Sequence, residues 1–571
     1  MKNIFKAVKI AVLETKFYFF IYVALLLTIT LLPAIQLDCY QNIFSGLQFS
    51  DISKIFYTLC VYVAFDICSS FITSINPFFK EKIRTKVERA LCGNLVDCLD
   101  DFPIDFFDSS DNLCEVERAK KAAKQVIVDI ATDFIRVVGS IIALIYLFAL
   151  LSSVSVIYYF VFFFIGIISN ILSQQNVKES EKVILDKEPL TRTMDYYQNI
   201  SLDKNFTREI KIFGINDWIK IKYNQAFAKY RLMISRFSNR WLRINIGWSI
   251  IAYFIEGTVL AVTVIHYAST DFSLSNLVLL IQIPSLIIDM ISEIILTSAE
   301  IQKATITIRS FDNIKQKSQY YKSKRKQVYT YSNKNVITFD HVSFSYGQKE
   351  VLHNINLSIT AGQQIAIIGS NGSGKSTLIK LLLGLVYPST GKINTFTKRS
   401  AAVFQEPAKF KMSLCENVFF QSSSIDRKDL NSAQQLLNDI GFNYSLYDNI
   451  NLGSDLFEKG TDLSTGEWKK LSLCATLLQD PDLLILDEFT NNMDISSIEK
   501  ALELIRTKMM GKTVIYITHS PELAQNADYI ICMEDGAITD MGTRQQLMHN
   551  ANSGYRRLFE EEKNESGSQY N

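Results

Sequence analysis

The stretch Gly369-Ser370-Asn371-Gly372-Ser373-Gly374-Lys375-Ser376-Thr377 decides how this chain is read, because it fits G-x-x-x-x-G-K-[ST] and its neighbours fit the motif's setting. The apolar run Ile365–Ile368 before it predicts a buried parallel strand, and Leu378–Leu385 after it predicts an amphipathic helix. A loop so placed turns successive backbone N–H groups, with the positive end of the helix, toward a chain of phosphates. Lys375 adds a point charge for the β- and γ-phosphates, and the Ser376 hydroxyl is placed to ligate Mg²⁺. The bland alternative is a glycine-rich turn without function, but strand, loop and helix stand in the order the motif requires. The stretch reads as a nucleotide site.

The rest of the chain is too long for one ordinary domain: 571 residues, 48% of them hydrophobic. The apolar excess collects in the first half. A net charge of +1 gives no electrostatic basis for a nucleic-acid partner. The nine cysteines are scattered and form no C-x-x-C pair, which argues against a disulfide framework or a zinc site.

Residues 1–16 interleave Lys2, Lys6, Lys9 and Lys16 with Ile4, Phe5, Val8, Ile10 and Val12, the pattern of a basic amphipathic helix at a membrane surface. The run Phe17–Leu37 is long enough to span a bilayer, and five more stretches follow: Ile52–Ile75, Ala131–Leu151, Val154–Leu172, Ile244–His266 and Leu274–Leu296. The connections Asp38–Asp51, Ser152–Ser153 and Ala268–Ser273 carry no Lys or Arg, whereas the N-terminus and residues 79–125 and 174–243 are rich in both. The positive-inside rule places the latter, and everything after residue 300, in the cytosol. The long loops keep helical periodicity, so the membrane helices are expected to continue on the order of 30 Å below the bilayer. Turns are expected at Phe102–Asp111 and near Arg208–Gly214.

The expected division is a six-span helical membrane domain over 1–310, a basic linker over 311–334, an α/β nucleotide-binding domain over 335–560 and a disordered tail over 561–571. In the soluble part Val336–Asp340, Val342–Tyr346, Leu483–Leu486, Val514–Ile517 and Tyr529–Met533 predict strands, and the strand–helix alternation after the glycine loop predicts a largely parallel sheet.

Leu483-Leu-Ile-Leu-Asp487-Glu488 is an apolar strand ending in two carboxylates, one suited to hold Mg²⁺ and the other to face an attacking water as general base. Leu463-Ser464-Thr465-Gly466-Glu467 opens a predicted helix, a second anion-binding geometry. Gln405 follows the strand Ala401–Phe404, and His519 follows Val514–Ile517.

This ordered set resembles an ATP-binding cassette exporter of the six-span, fused half-transporter type, over nearly the whole chain. The resemblance implies that Tyr346 stacks on adenine, that Gly369–Thr377 is the Walker A loop, and that Gln405 senses Mg²⁺ and the coupling helices. It further implies Ser464–Glu467 as the signature, Asp487 as the Walker B aspartate, Glu488 as the catalytic glutamate, Asn491–Asp494 as the D-loop and His519 as the switch histidine. Glu458-Lys459-Gly460 resembles the exporter segment that contacts the partner's intracellular loops. Cassettes of this family pair head to tail, so Ser464 and Gly466 are expected to complete the site of a partner, either a second copy or a related half-transporter.

Several positions depart from the family pattern. Thr465 and Glu467 replace a small residue and a glutamine in the signature, Phe489 replaces a proline, and Asn491-Asn492-Met493 replaces small D-loop residues. Thr465 adds bulk and Glu467 a charge near an anion, and both are placed to slow turnover. Tolerated drift is one reading; the other is an asymmetric heterodimer in which this chain offers the weaker signature to its partner. The run Val403–Val418, with Arg208–Gly214 and Phe106–Leu113, is similar to bacterial exporters of lantibiotics and other modified peptides. Nothing before residue 17 is long enough for a peptidase, so any leader would be removed by another protein. The expectation is ATP-driven export of a peptide across a bacterial cytoplasmic membrane. The alternatives are a drug or lipid exporter, or a membrane ATPase serving as sensor or immunity component. Asp66, Glu256, Asp289 and Glu293 lie in predicted spans and read either as an acidic, cation-binding cavity or as hydrated ends.

Overall fold

In a computed structural model of the chain, the described residues are all but 1, 49–50, 153–156, 268–273, 332–335, 396–398, 421–424, 449, 520–523, 525–526, 551–552, 558–559 and 561–571. They divide into one unit of Met1–Asp100 with Asp111–Lys317, and a second of Asp101–Ser110 with Ser318–Asn571. The expected tail at 561–571 lies outside the described residues.

The first unit is helical. The basic helix α1 (Lys2–Thr15) ends where Lys16 turns to φ 34°, and α2 (Phe17–Gln48) begins at once. There follow α3 (Ile52–Asp100), α4 (Ser110–Lys121), a π-helical turn at Ala122–Val126, and α5 (Ile127–Ser152). Then come α6 (Ile157–Leu202), α7 (Lys204–Phe213), α8 (Asn216–Tyr267) and α9 (Leu274–Val328).

Among the described residues five segments are long and apolar enough to cross a membrane: Phe17–Leu47, Ile52–Asp100, Ser110–Leu150, Asn216–Val262 and Ile281–Val328. The remaining expected span, Val154–Leu172, starts outside the described residues and continues as α6. Helices α3, α6, α8 and α9 have 49, 46, 52 and 55 residues. At 1.5 Å per residue each is about 70–80 Å long, more than twice an apolar bilayer core of about 30 Å. Helix α9 carries through the basic stretch 311–328. The predicted connection Asp38–Asp51 is mostly helix, because α2 persists to Gln48.

In the second unit two sheets share the strands. A four-stranded sheet has the order β1 (Tyr329–Tyr331), β5 (Thr390–Thr395), β2 (Val336–Tyr346), β3 (Lys349–Thr360), with β2 antiparallel to both neighbours. The two strands predicted over 336–346 are one, with its register shifted where His341 adopts φ 49°. The six-stranded sheet has the order β10 (Ala537–Gly542), β9 (Tyr529–Glu534), β4 (Gln364–Gly369), β8 (Thr513–Ile517), β7 (Leu483–Asp487), β6 (Ser400–Val403). It is parallel except at β10. Strands β4 and β7 lie inside it, which explains their unbroken apolar runs.

A second core, of Leu436, Leu437, Trp468, Leu471, Cys474 and their neighbours, packs the helices α12 (Arg427–Asp439) and α13 (Thr465–Leu478). Phe489 is buried in this core, so the residue after Glu488 serves packing where the family pattern has a proline. The 3₁₀ elbow Ile104–Asp108 belongs to this unit: its N–H at Ile104 donates to the Leu385 carbonyl, 2.8 Å, and Phe106 is buried against Phe102 and Tyr321.

Candidate nucleotide site

Strand β4 delivers the chain into the glycine loop at its C-terminal edge, the usual place for a ligand in an open α/β sheet. Helix α10 (Lys375–Leu382) leaves from the other end of the loop. Only glycine fits at 369: a Cβ there would stand 2.2 Å from the Met533 carbonyl oxygen and 2.8 Å from Ser373 Oγ. The Ser373 hydroxyl is buried and has no hydrogen-bond partner among the described residues. Lys375 is buried too, its ammonium donating to the carbonyls of Gly369 (2.8 Å) and Ser370 (2.9 Å). An orphaned hydroxyl and an ammonium folded over the loop fit an oxyanion in this position. Burial lowers the Lys375 pKa, while Glu488 and Asp487 pull it back up. Ser370, Asn371, Gly372 and Ser376 are exposed around the loop, and Gly374 and Thr377 are buried beneath it.

Asp487 closes the buried strand β7 beside this loop. Burial raises its pKa first and the Glu488 charge second, against the lowering influence of Lys375 and His519. Glu488 leaves the strand with φ 44°, which swings its carboxylate out of the sheet's alternation. Three side chains hold it: His519 Nε2 lies 2.6 Å from Oε1, while Gln405 Nε2 (2.7 Å) and Asn491 Nδ2 (2.9 Å) donate to Oε2. Thus Gln405, Glu488 and His519, read separately from three strand ends, come together, with Asp487 and Lys375 within electrostatic reach. Tyr346 ends β2 with its ring edge-on to Phe344, 4.7 Å between centroids, and Lys380 Nζ 5.9 Å from its centre.

The side chain of Ser464 is engaged at the start of its own helix. Ser464 is the N-cap of α13 and closes a capping box with Glu467: its Oγ accepts from the Glu467 N–H (3.3 Å), while its N–H (2.7 Å) and hydroxyl (2.8 Å) donate to Glu467 Oε2. Glu467 therefore has a local partner where the sequence reading saw only a charge facing an anion. The spacing Ser464-x-x-Glu467 is the signal that predicts the box. Gly466 is required by close approach, since a Cβ would lie 2.8 Å from the Asn492 carbonyl oxygen.

One residue of the site escaped the sequence reading. Lys469, one of the largest fully buried side chains, donates from Nζ to the Glu488 carbonyl (3.1 Å) and the Asn491 carbonyl (2.8 Å). It pins α13 to the backbone that carries Glu488. A lysine on a helix ordinarily reads as solvated. The only hint was its place beside Trp468 and Leu471 on the apolar side of α13.

The four intramembrane acids separate. Glu293 accepts from Ser140 Oγ at 2.9 Å, with Arg136 Nε 3.9 Å away, and Glu256 accepts from Ser285 Oγ at 3.3 Å. Asp66 and Asp289 are exposed on the isolated chain.

Comparison with known proteins agrees with this geometry. Residues 352–491 match the family profile described as ABC transporter. The subtilin transport ATP-binding protein SpaT of Bacillus subtilis is 22% identical over 552 residues, spanning 91% of this chain and 87% of SpaT. The heterocyst differentiation ATP-binding protein HepA of a Nostoc species is 25% identical over 361 residues, 60% of this chain and 58% of HepA. A putative export ATP-binding/permease protein of Rickettsia bellii is 32% identical over 240 residues, 39% of this chain and 41% of that protein. The solved structure of a bacterial Atm1-family ABC exporter with ATP bound has the same fold, with TM-score 0.74 over 98% of both chains at 18% identity.

Proposed function

Since the chain belongs to the ABC transporter family, as a half-exporter with membrane and nucleotide-binding parts fused and ATP hydrolysis coupled to transport, we propose that it pairs to drive peptides outward across a bacterial cytoplasmic membrane. The observation that carries the peptide reading is the alignment with a subtilin transport protein along 91% of the chain. The other relatives share less of the chain, 60% for HepA and 39% for the Rickettsia bellii protein.

Gly369–Thr377 binds the phosphates, and Tyr346 packs on the adenine. Ser376, Asp487 and Gln405 would hold Mg²⁺, which when bound would offset the charge of the phosphates. Glu488 accepts the proton of the attacking water, and its three hydrogen-bond donors fix the direction of its lone pairs. His519 and Gln405 thereby orient Glu488 as well as standing beside the phosphate. Ser464 and Gly466 present the N-terminus of α13 to the partner's nucleotide.

The test uses the full chain in liposomes with Mg²⁺-ATP and peptide supplied outside, so that cassettes facing outward drive peptide into the lumen. Glu488→Gln is expected to lower ATP hydrolysis at least about 100-fold, the scale of losing a positioned general base. Vesicle accumulation of a lantibiotic-type peptide should fall in parallel. ATPase that no peptide stimulates, with a lipid or drug moved instead, would replace peptide by those substrates. ATPase with nothing moved would favour a sensor or immunity role.

A further inference from the structure

Helix α13 carries Gly466, Lys469 and Lys470 at the i, i+3 and i+4 spacing that puts residues on one helical face. All three meet the loop 491–494. A Cβ at Gly466 would stand 2.8 Å from the Asn492 carbonyl oxygen. Lys469 Nζ donates to the carbonyls of Glu488 (3.1 Å) and Asn491 (2.8 Å), and Lys470 Nζ lies 3.7 Å from an Asp494 carboxylate oxygen.

The backbone that Lys469 grips is not a relaxed one. Glu488 at φ 44° and Asn492 at φ 63° both stand in the left-handed region. Residues other than glycine persist there only where their surroundings over-determine them. The Glu488 N–H donates to the Ile517 carbonyl (3.1 Å), and the Asn491 N–H donates to the Glu488 carbonyl (3.2 Å). This turn brings the Asn491 amide to 2.9 Å from Glu488 Oε2. The two carbonyls that Lys469 holds are thus the two ends of the segment that aims the Glu488 carboxylate.

Packing alone does not call for a lysine at 469. The side chain is 1% exposed, on a helix whose Trp468, Leu471 and Leu473 are buried as well. Lysine is almost never so buried unless it is paired, and a buried ionic group is often replaced by an apolar one of like volume without loss of stability. Methionine would fill the same space. What it lacks is a donor for the two carbonyls.

We infer that Lys469 is a positioning residue for ATP hydrolysis: its ammonium, bonded to the Glu488 and Asn491 carbonyls, fixes the left-handed turn that points the Glu488 carboxylate. The inference rests on the reading of Glu488 as general base and adds what keeps that base in place. A base displaced by about 1 Å loses on the order of 100-fold in rate, while nucleotide binding does not depend on it.

The test compares the full chain in nanodiscs as wild type, Lys469→Met, Asn491→Ala and the double variant, with Lys512→Met as control. Lys512 pairs with Asp480 just before β8, at the opposite end of that strand from His519. Four readings are taken: kcat and KM for Mg²⁺-ATP, the Kd of trinitrophenyl-ATP with Mg²⁺, the melting temperature, and deuterium uptake over 488–494 without nucleotide. Lys469→Met is expected to lower kcat about 10- to 100-fold, with KM and Kd within about twofold and the melting temperature within about 3 °C. Uptake over 488–494 should become at least about tenfold faster. The double variant should lose at most about threefold more than the worse single variant, because both residues act through one carboxylate. The control should match wild type in all four readings. An unchanged kcat, losses that multiply in the double variant, or a kcat that falls only together with melting temperature and nucleotide binding would overturn the inference. Should Lys469→Met fail to bind nucleotide, Lys469→Gln, which keeps a donor, takes its place with the same split expected in smaller degree. Binding lost in both makes Lys469 a folding residue and overturns the inference too. A Glu488→Gln chain that keeps its ATPase overturns the general-base reading. Glu488→Gln inactive with Lys469→Met fully active overturns this inference alone.

Discussion

Asp487 works against its surroundings until a cation reaches it. Its folded pKa is raised, chiefly by burial, so the folded chain prefers the neutral acid more than the unfolded chain does. That contribution to stability is complete below the ordinary carboxylate pKa and is lost as pH rises through the folded value. Above its folded pKa the ionised Asp487 is therefore unfavourable in the nucleotide-free protein. Asp487→Asn is expected to raise its melting temperature at pH 7, on the order of 2 °C by differential scanning fluorimetry. The difference should vanish toward about pH 4, and stabilisation by Mg²⁺-ATP should be lost. A variant that melts lower at pH 7 would contradict this account. Asp487 and Glu488 were legible because an apolar run ending in two carboxylates has few structural uses. Lys469 was not, because the carbonyls it serves meet only after the chain has turned back on itself beyond β7.

At the scale of elements, the long helices were legible as apolar runs that pass into charged periodic segments without a break. The two bends were legible as well, from Pro103 and the acidic cluster near it and from Gly214. The four-stranded sheet, parallel at β1–β5 and antiparallel around β2, was not, since its pairing depends on long-range register and on the irregularity at His341. The elbow Ile104–Asp108 joins the end of α3 to the start of α4 and is seated in the nucleotide-binding unit through Phe106, which is 3% exposed with its ring centroid 4.2 Å from that of Phe102. Phe106→Ala should weaken that seat by about 3 kcal/mol. ATP hydrolysis is expected to stay within about twofold of wild type while peptide accumulation in liposomes falls at least about tenfold, because the helix ends lose their anchor. Equal loss of both activities would instead show that the elbow supports the cassette itself.

For the whole molecule, the proposed assignment of Ser464 and Lys375 to opposite halves of one site makes pairing testable. Lys375→Ala chains and Ser464→Ala chains should each be inactive alone. Mixed and reconstituted together, they form pairs in which one head-to-tail site keeps both residues. With random pairing and independent sites, about a quarter of wild-type ATPase should return, whereas sites completed within one chain would return none. Lys469 gives the same mixture a second meaning. Helix α13, which the proposed pairing presents to the neighbouring cassette, is tied through one ammonium to the carbonyls of its own Glu488 and Asn491. In the proposed head-to-tail pair, occupancy at one site is expected to shift the general base at the other. Two such ties, one in each direction, predict a pair that is cooperative in ATP, checked by the Hill coefficient of its ATP hydrolysis. Any shortfall of the mixture below a quarter measures how strongly that cooperativity governs the rate.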